Sequence, residues 1–174
     1  MLDRFQPELW RDLYVMLGTS SAALVGLLFV VTSLHLSEIV NKPGLRVRAR
    51  SNMVYLLTTL VEAAVILTPQ RPELLGGELI IINLIMAQRP ITNVYNIFKH
   101  TEMATQARFS IYRALTFVGC FALGIAGGMG IISDANWGMQ LVTVSYITFV
   151  VLTALNAWQI MLGVGQAELL SEEK

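Results

Sequence analysis

Apolar residues dominate this chain in long runs that short polar stretches separate. Residues 13–36, 114–133 and 138–164 contain no Asp, Glu, Lys or Arg. An α-helix rises about 1.5 Å per residue, so each run is long enough to cross the roughly 30 Å hydrocarbon core of a bilayer. These three runs therefore predict transmembrane helices rather than the core of a soluble domain.

Two further segments are apolar but carry polar interruptions. Residues 53–68 contain Glu62 as their only charged residue and end before Pro69, which favours a helix end at that point. Residues 73–94 have an apolar centre, and we expect Pro90 to end or kink the helix there. The other polar residues that interrupt this segment are Glu78, Asn83, Gln88 and Arg89.

The distribution of basic residues decides whether the 73–94 segment also crosses the membrane. Eight of the twelve Lys and Arg residues lie within residues 37–52 and 88–113. If the segment spans, both basic stretches lie on one side of the membrane, as the positive-inside rule prefers. We therefore predict five spans, with the N-terminus outside and the C-terminus in the cytoplasm. Their approximate bounds are 13–36, 51–69, 73–94, 111–133 and 138–164.

The composition supports the same class of protein. Of the 174 residues, 55% are hydrophobic and only 14% are charged, and the mean hydropathy is +0.61. Soluble domains carry about a quarter charged residues. We predict an all-α, polytopic transmembrane helix bundle that forms a single domain. The single cysteine, Cys120, excludes an intramolecular disulfide.

The sequence contains no catalytic motif or metal-ligand cluster, so we predict neither an enzyme nor a cofactor. His35 and His100 both adjoin predicted span ends, and nothing else in the sequence supports their pairing as haem ligands. The basic residues of the first connection lack interleaved aromatics, so we expect them to contact anionic lipid headgroups and not nucleic acid. These residues are Lys42, Arg46, Arg48 and Arg50.

Small residues recur at four-residue spacing in the first and fourth spans. In a bilayer, small side chains mark faces where two helices approach closely. Two interpretations stay open, namely packing within the monomer, which we favour, and a contact between copies in a homo-oligomer. The residues are Gly18, Ala22 and Gly26 in the first span and Gly124 and Gly128 in the fourth.

Two carboxylates lie at matching depth in the second and third spans. Glu62 and Glu78 are each about eight residues from the predicted turn near Gln70, so both lie roughly 11–12 Å below it. If they face each other in a low dielectric, one keeps a proton or a cation lies between them. This predicts a proton or cation pathway, with Thr58 and Asn83 beside it. The alternatives are a single protonated Glu bonded within the bundle, or a Glu78 shallow enough to reach headgroups.

The last span carries polar residues along one side of its helix. Such a stripe either forms hydrogen bonds between helices, which is the favoured interpretation, or lines a path for an ion or small solute. Asn156 and Gln159 are the candidates for such a lining. The full stripe is Ser145, Thr148, Asn156, Gln159, Gly163 and Gln166.

Several segments of the chain resemble a group of small bacterial membrane proteins. They are "SSAALVGLLFVVTSLHLSEI" in the first span, then "RVRARS", "LTPQ" and "GGELI", and "NAWQIML" in the last span. The resemblance implies a bacterial inner-membrane protein with a five-helix layout. It implies no activity for any residue.

Together these features predict a self-associating membrane protein that conducts or transports protons or cations. The alternative is a structural or regulatory accessory subunit of a larger membrane complex, in which the polar residues hold helices together. The transport function requires the carboxylates to exchange ions, whereas the accessory-subunit function does not.

Overall fold

The structure is a computed structural model that describes residues 7–41, 43–100, 104–135 and 137–172. Every element in these ranges is helical. A single 3-10 turn, Pro7–Trp10, precedes six α-helices. The helices are α1 (Arg11–Leu34), α2 (Leu36–Asn41), α3 (Pro43–Leu67), α4 (Pro72–His100), α5 (Ala104–Ile132) and α6 (Trp137–Glu172).

Five of these helices contain a segment long and apolar enough to cross a membrane, which confirms the helical class and the number of candidate spans. The short helix α2 connects α1 to α3 and lies within the basic stretch of residues 37–52. The segments are Glu8–Leu34, Ala49–Leu67, Pro72–Ile91, Ala114–Ile132 and Trp137–Gln159. They agree closely with the intervals that hydropathy predicts.

The helix ends follow local chemistry. Prolines begin α3 and α4, where the missing amide hydrogen costs nothing because first-turn amides have no partner within the helix. Helix α3 ends at Leu67, just before Pro69, as predicted. Between α5 and α6, Asp134 adopts a positive φ of 54°, a conformation that Asp tolerates better than most residues.

Pro90 does not end α4, so the prediction of a helix end at this residue is wrong, while the alternative of a kink stays a prediction. The helix continues through it to His100. Pro90 is fully buried within the bundle.

Helix α3 is the central element of the bundle, because it contacts α1, α4 and α6. Helices α4 and α5 pack along most of their shared length, as do α5 and α6. The α4–α5 contact is tightest at Gly76 and Gly128. A Cβ atom added to Gly76 would lie 2.5 Å from the carbonyl oxygen of Gly128, so only glycine fits between these backbones.

The outer surface of the bundle is apolar. Large aliphatic and aromatic side chains point outward from every candidate span, including Phe29, Ile81, Leu115 and Val151. Soluble monomers rarely expose such continuous apolar surface. The exposure pattern therefore agrees with a bundle whose solvent is lipid.

The interior contains two apolar clusters that lie at different levels along α3. One surrounds Ile66 and Leu79 near the α3–α4 turn, and the second is aromatic. The aromatic cluster consists of Tyr55, Phe117, Phe121 and Phe149, whose ring centroids lie 4.8–6.2 Å apart. Between the two levels lies a small group of polar side chains.

Candidate functional site

Glu62 is buried between helices at this polar level, with 8% of its surface exposed. The side-chain amide of Asn83, on α4, donates one hydrogen bond to Glu62 Oε1 at 2.8 Å. The same nitrogen donates a second hydrogen bond to the backbone carbonyl of Leu79 at 2.9 Å, so both amide hydrogens of Asn83 are used. Asn83 therefore holds one oxygen of the carboxyl group in a fixed position.

Because Gly124 on α5 has no side chain, the carboxamide of Asn83 has room to lie against α5. A Cβ atom at residue 124 would lie 2.5 Å from Asn83 Oδ1 and 2.9 Å from Asn83 Nδ2. Any larger residue would displace the carboxamide from Glu62. Gly124, one of the small residues at four-residue spacing in the fourth span, thus lies directly against the side chain of Asn83.

A small cavity with both polar and aromatic residues in its lining adjoins Glu62. Its volume is about 10 Å³. A cavity needs roughly 10–15 Å³ to hold one water molecule. The cavity therefore has the size of a single water molecule. Its lining comes from α3, α4, α5 and α6 and consists of Thr58, Glu62, Asn83, Phe121, Ser145, Tyr146 and Phe149.

The three hydroxyl groups in the lining all donate to backbone carbonyls. Thr58 Oγ1 donates to Val54 O at 2.9 Å, within its own helix. Ser145 Oγ crosses to Cys120 O on α5 at 2.7 Å, and Tyr146 crosses to Thr59 O on α3 at 2.7 Å. The last two bonds tie α6 to α5 and α3, and all three hydroxyl oxygens can still accept hydrogen bonds.

Tyrosine hydroxyls connect α1 to the same region. Ser21 on α1 lies 3.3 Å from the Tyr146 hydroxyl. The hydroxyl of Tyr14 lies 2.9 Å from Thr143 Oγ1, and its ring packs edge-on against Tyr146 with a centroid separation of 5.7 Å. Tyr14 is fully buried within the bundle. Its hydroxyl therefore has a polar partner inside the bundle, as buried tyrosine hydroxyls usually do.

The structure does not bring Glu62 and Glu78 together. Glu78 is exposed and accepts a hydrogen bond from Gln70 Nε2 at 2.9 Å, close to the α3–α4 turn. The reason is rotational, because successive residues of a helix point about 100° apart. Leu79 and Asn83, four residues apart, face inward, and Glu78 is turned away from them. The arrangement matches the alternative of one carboxyl group bonded within the bundle.

Asn156 and Gln159 do not line the cavity. Asn156 is half-buried and Gln159 is exposed. They lie ten and thirteen residues beyond Tyr146, which is about 15–20 Å along α6. The inward face of α6 carries Thr143, Tyr146 and Thr153 instead.

Sequence reasoning missed a second buried polar group, Asn52. Its amide donates to the backbone carbonyl of Thr153 at 3.0 Å, and its Oδ1 accepts no hydrogen bond from the described residues. Helical rise separates it from Glu62 by about 15 Å. A signal was present, since residues 52, 55, 59 and 62 follow one face of α3, but the neighbouring Arg50 makes Asn52 resemble part of a polar connection.

The small residues have different surroundings. Gly18 is buried, and a Cβ atom there would lie 3.0 Å from Ala63 Cβ on α3. Gly124 and Gly128 contact α4. Ala22 and Gly26 are exposed, and nothing lies within 4 Å of a Cβ atom built on Gly26.

Two of the four basic residues that we predict to contact lipid headgroups have side chains that the structure describes. Arg46 and Arg50 are exposed near the start of α3. Lys42 and the side chain of Arg48 lie outside the described residues. Within the described residues, no three His, Cys, Asp or Glu side chains come together as a metal site would require.

The fold and the buried polar level define a multi-pass helical protein with five helices able to cross a membrane. Comparison with protein-family models, with curated proteins and with solved structures found no match. The resemblance to small bacterial membrane proteins therefore stays a prediction, and function must be inferred from the site.

Proposed function

We propose that this chain is an integral protein of the bacterial inner membrane that transfers protons or small monovalent cations, with Glu62 as the exchanging group. The observation that carries the proposal is a buried carboxyl group beside a water-sized cavity that four helices line with polar and aromatic side chains. Ionisable groups inside a membrane are costly and are retained mainly where they bind ions, protons or substrates.

A purely structural role for Glu62 is the weaker explanation. A neutral amide would form the same contact with Asn83 without the cost of burying an ionisable group. Hydrogen bonds of neutral polar side chains between membrane helices contribute only about 0.6–2 kcal/mol each. The cavity beside Glu62 is the feature that a packing role leaves unexplained.

The size of the cavity favours stepwise exchange at Glu62 over free flow. It holds about one water molecule and not a continuous column. Toward the basic end of α3, the aromatic cluster around Tyr55 and Phe149 separates Glu62 from Asn52. An ion that reaches Glu62 from that end requires a rearrangement of these rings.

We further propose that the N-terminus lies outside and the C-terminus in the cytoplasm. Arg46 and Arg50 are exposed at the start of α3, where anionic headgroups of the cytoplasmic leaflet would neutralise them. Glu62 then lies closer to the outer surface, since it is only five residues from the end of α3 at Leu67.

The exposed small residues of α1 support association with another membrane helix. Ala22 and Gly26 form an i, i+4 pair that no described residue of the chain covers. A second copy of the chain is the partner we propose. The same face would serve an accessory subunit of a larger complex, and recovery of a stoichiometric foreign partner after gentle detergent extraction would favour that alternative.

The transport proposal is tested by reconstituting the protein in liposomes that contain a pH-sensitive dye. We expect a proton flux above that of empty vesicles, and Glu62→Gln should abolish it because the amide cannot exchange a proton. Glu78→Gln is the matched control, because Glu78 is exposed and its partner is Gln70 at the helix turn. It should keep the flux of the unaltered protein.

Two results would contradict the proposal. A flux equal to that of empty vesicles, under both inward and outward gradients of protons, Na⁺ and K⁺, would remove transport altogether. A flux that Glu62→Gln leaves unchanged would remove Glu62 from the pathway.

A further inference from the structure

The carboxamide of Asn83 is held by contacts with three helices. Its nitrogen donates to Glu62 Oε1 on α3 at 2.8 Å and to the backbone carbonyl of Leu79, on α4 itself, at 2.9 Å. Because the carbonyl of Leu79 can only accept a hydrogen bond, the nitrogen of the amide and not its oxygen must face it. The oxygen lies against α5, where a Cβ atom on Gly124 would be 2.5 Å from it. These contacts leave one orientation for the amide group.

This orientation decides which oxygen of Glu62 carries a proton. A neutral carboxyl group has one hydroxyl oxygen, which donates, and one carbonyl oxygen, which is the stronger acceptor. Oε1 accepts the hydrogen bond from Asn83, which is the role of the carbonyl oxygen. The proton of neutral Glu62 is therefore on Oε2.

The same hydrogen bond serves both charge states of Glu62. An asparagine amide neither gains nor loses a proton, so it donates to Oε1 whether the carboxyl group is neutral or ionised. A hydrogen bond to an ionised acceptor is about twice as strong as one to a neutral acceptor. Without Asn83, the ionised carboxyl group would stay buried without this donor, which is costly inside a helix bundle.

We propose that Asn83 is a positioning residue for proton exchange at Glu62, and that it holds Oε1 as an acceptor so that the proton binds and leaves at Oε2 alone. The inference rests on the proposed function, because it names the atom at which Glu62 exchanges its proton. Release breaks the Oε2–H bond, passes the proton to a water molecule and leaves a carboxylate whose Oε1 is still bonded to Asn83. Uptake is the reverse of this step.

The surroundings of Glu62 allow its carboxyl group to be identified by infrared spectroscopy. Glu62 is the only buried Asp or Glu among the described residues, and Glu78 on α4 is turned to the surface. The other titratable side chains packed near this level contain no carbonyl group. They are Tyr14 on α1, Cys120 on α5 and Tyr146 on α6. A carboxyl C=O band that disappears in Glu62→Gln therefore belongs to Glu62.

The test is infrared difference spectroscopy between acidic and alkaline pH, on the full chain in lipid nanodiscs. A hydrogen bond to a carbonyl oxygen lowers its stretching frequency. Asn83→Leu, which has a similar shape but no donor, should therefore move the Glu62 band to higher frequency. Asn52→Leu is the matched control, because Asn52 is equally buried and donates to Thr153 O about 15 Å away along α3. It should leave the band in place.

Gly124→Ala tests the position of the amide without removing it. Glu62 and Asn83 stay chemically intact, while the added methyl group displaces the carboxamide. The Glu62 band should move in the same direction as in Asn83→Leu. Gly119→Ala, which has nothing within 4 Å of its added methyl group, should not move the band. A loss of packing elsewhere in the bundle would not shift the frequency of this one carbonyl group.

Proton flux into liposomes measures what this positioning contributes to exchange. In Asn83→Leu the flux should fall at least about tenfold below that of the unaltered protein, in line with the contribution of hydrogen bonds to charged groups. Asn52→Leu should keep the flux of the unaltered protein, because it leaves the bond between Asn83 and Glu62 in place.

The possible results separate this inference from the transport proposal. A Glu62 band that stays in place in both Asn83→Leu and Gly124→Ala, with a flux that still depends on Glu62, would overturn the role of Asn83 and leave transport intact. A shifted band with an unchanged flux in Asn83→Leu would also overturn that role and leave Asn83 as a helix contact. A shifted band in a protein without any flux would support the proton on Oε2 and remove transport. The absence of a Glu62 carboxyl band at acidic pH would overturn both proposals.

Discussion

Gly124→Ala is the substitution for which the structure allows the most complete prediction. The added methyl group would lie 2.5 Å from Asn83 Oδ1 and 2.8 Å from its Cγ, both far inside van der Waals contact. Asn83 cannot swing away freely, because it is buried and its amide is bonded to Glu62 and to the backbone of its own helix. The expected result is displacement of the carboxamide and loss of its hydrogen bond to Glu62.

The magnitude follows from three contributions. Overpacking a well-filled interior costs about 1–3 kcal/mol. Leaving the Glu62 oxygen without its donor costs about another 1–3 kcal/mol. Alanine in a helix gains about 0.5–1 kcal/mol over glycine. Gly124→Ala should therefore lower the free energy of unfolding by about 1–5 kcal/mol.

The matched control is Gly119→Ala on the same helix. Residue 119 is exposed, and nothing lies within 4 Å of a Cβ atom built there. This substitution should leave stability unchanged or raise it by up to about 1 kcal/mol. The measurement is equilibrium unfolding in lipid–detergent micelles, followed by helical circular dichroism.

A double-mutant cycle tests the cause of the effect. Asn83→Ala removes the side chain with which the new methyl group collides, so Gly124→Ala should be nearly neutral in that background. If the two substitutions prove additive, the proposed collision is not the source of the destabilisation. A Gly124→Ala variant as stable as Gly119→Ala would refute the reasoning more directly.

Three other predictions follow from the described contacts. Tyr146→Phe should lower stability by about 1–3 kcal/mol, measured in the same unfolding assay, because Thr59 O and Ser21 each lose a hydrogen bond to the Tyr146 hydroxyl; no change would exclude this network as a helix contact. Asn52→Leu should change stability by less than about 1 kcal/mol, because it removes both a hydrogen bond to Thr153 O and a buried acceptor without a partner among the described residues; a large loss would show that Asn52 Oδ1 is bonded in the folded protein. Reporter enzymes fused to the two termini should give opposite signals, and cytoplasmic signals from both ends would exclude five crossings.

Much of the fold follows from local properties of the chain. The candidate spans agree with the hydropathy runs to within a few residues, because a helix needs only about 20 apolar residues in succession to cross a bilayer. Pro69 and the prolines at 43 and 72 mark helix ends for reasons that are local to the backbone. Pro90 is the exception, because α4 continues through it to His100, with Pro90 buried in the bundle.

The candidate site was only partly predictable. Glu62, Thr58 and Asn83 come together as the sequence predicts, because each carries a polar group in an otherwise apolar helix. Ser145 was recognised only as part of a polar stripe, and Tyr146 was not recognised at all. A tyrosine within an apolar run has the same appearance in a sequence whether its hydroxyl meets a backbone carbonyl or the membrane surface.

The sequence by itself therefore determined how far each residue lies from the helix turn. The tertiary structure decided whether its side chain points into the bundle or away from it. Helical rise places Glu62 and Glu78 at comparable distances from the α3–α4 turn whatever their neighbours are. Rotation about the helix axis is different, because it depends on which faces of α3, α4, α5 and α6 pack together. That packing turns Glu62 inward to Asn83 and leaves Glu78 at the surface with Gln70.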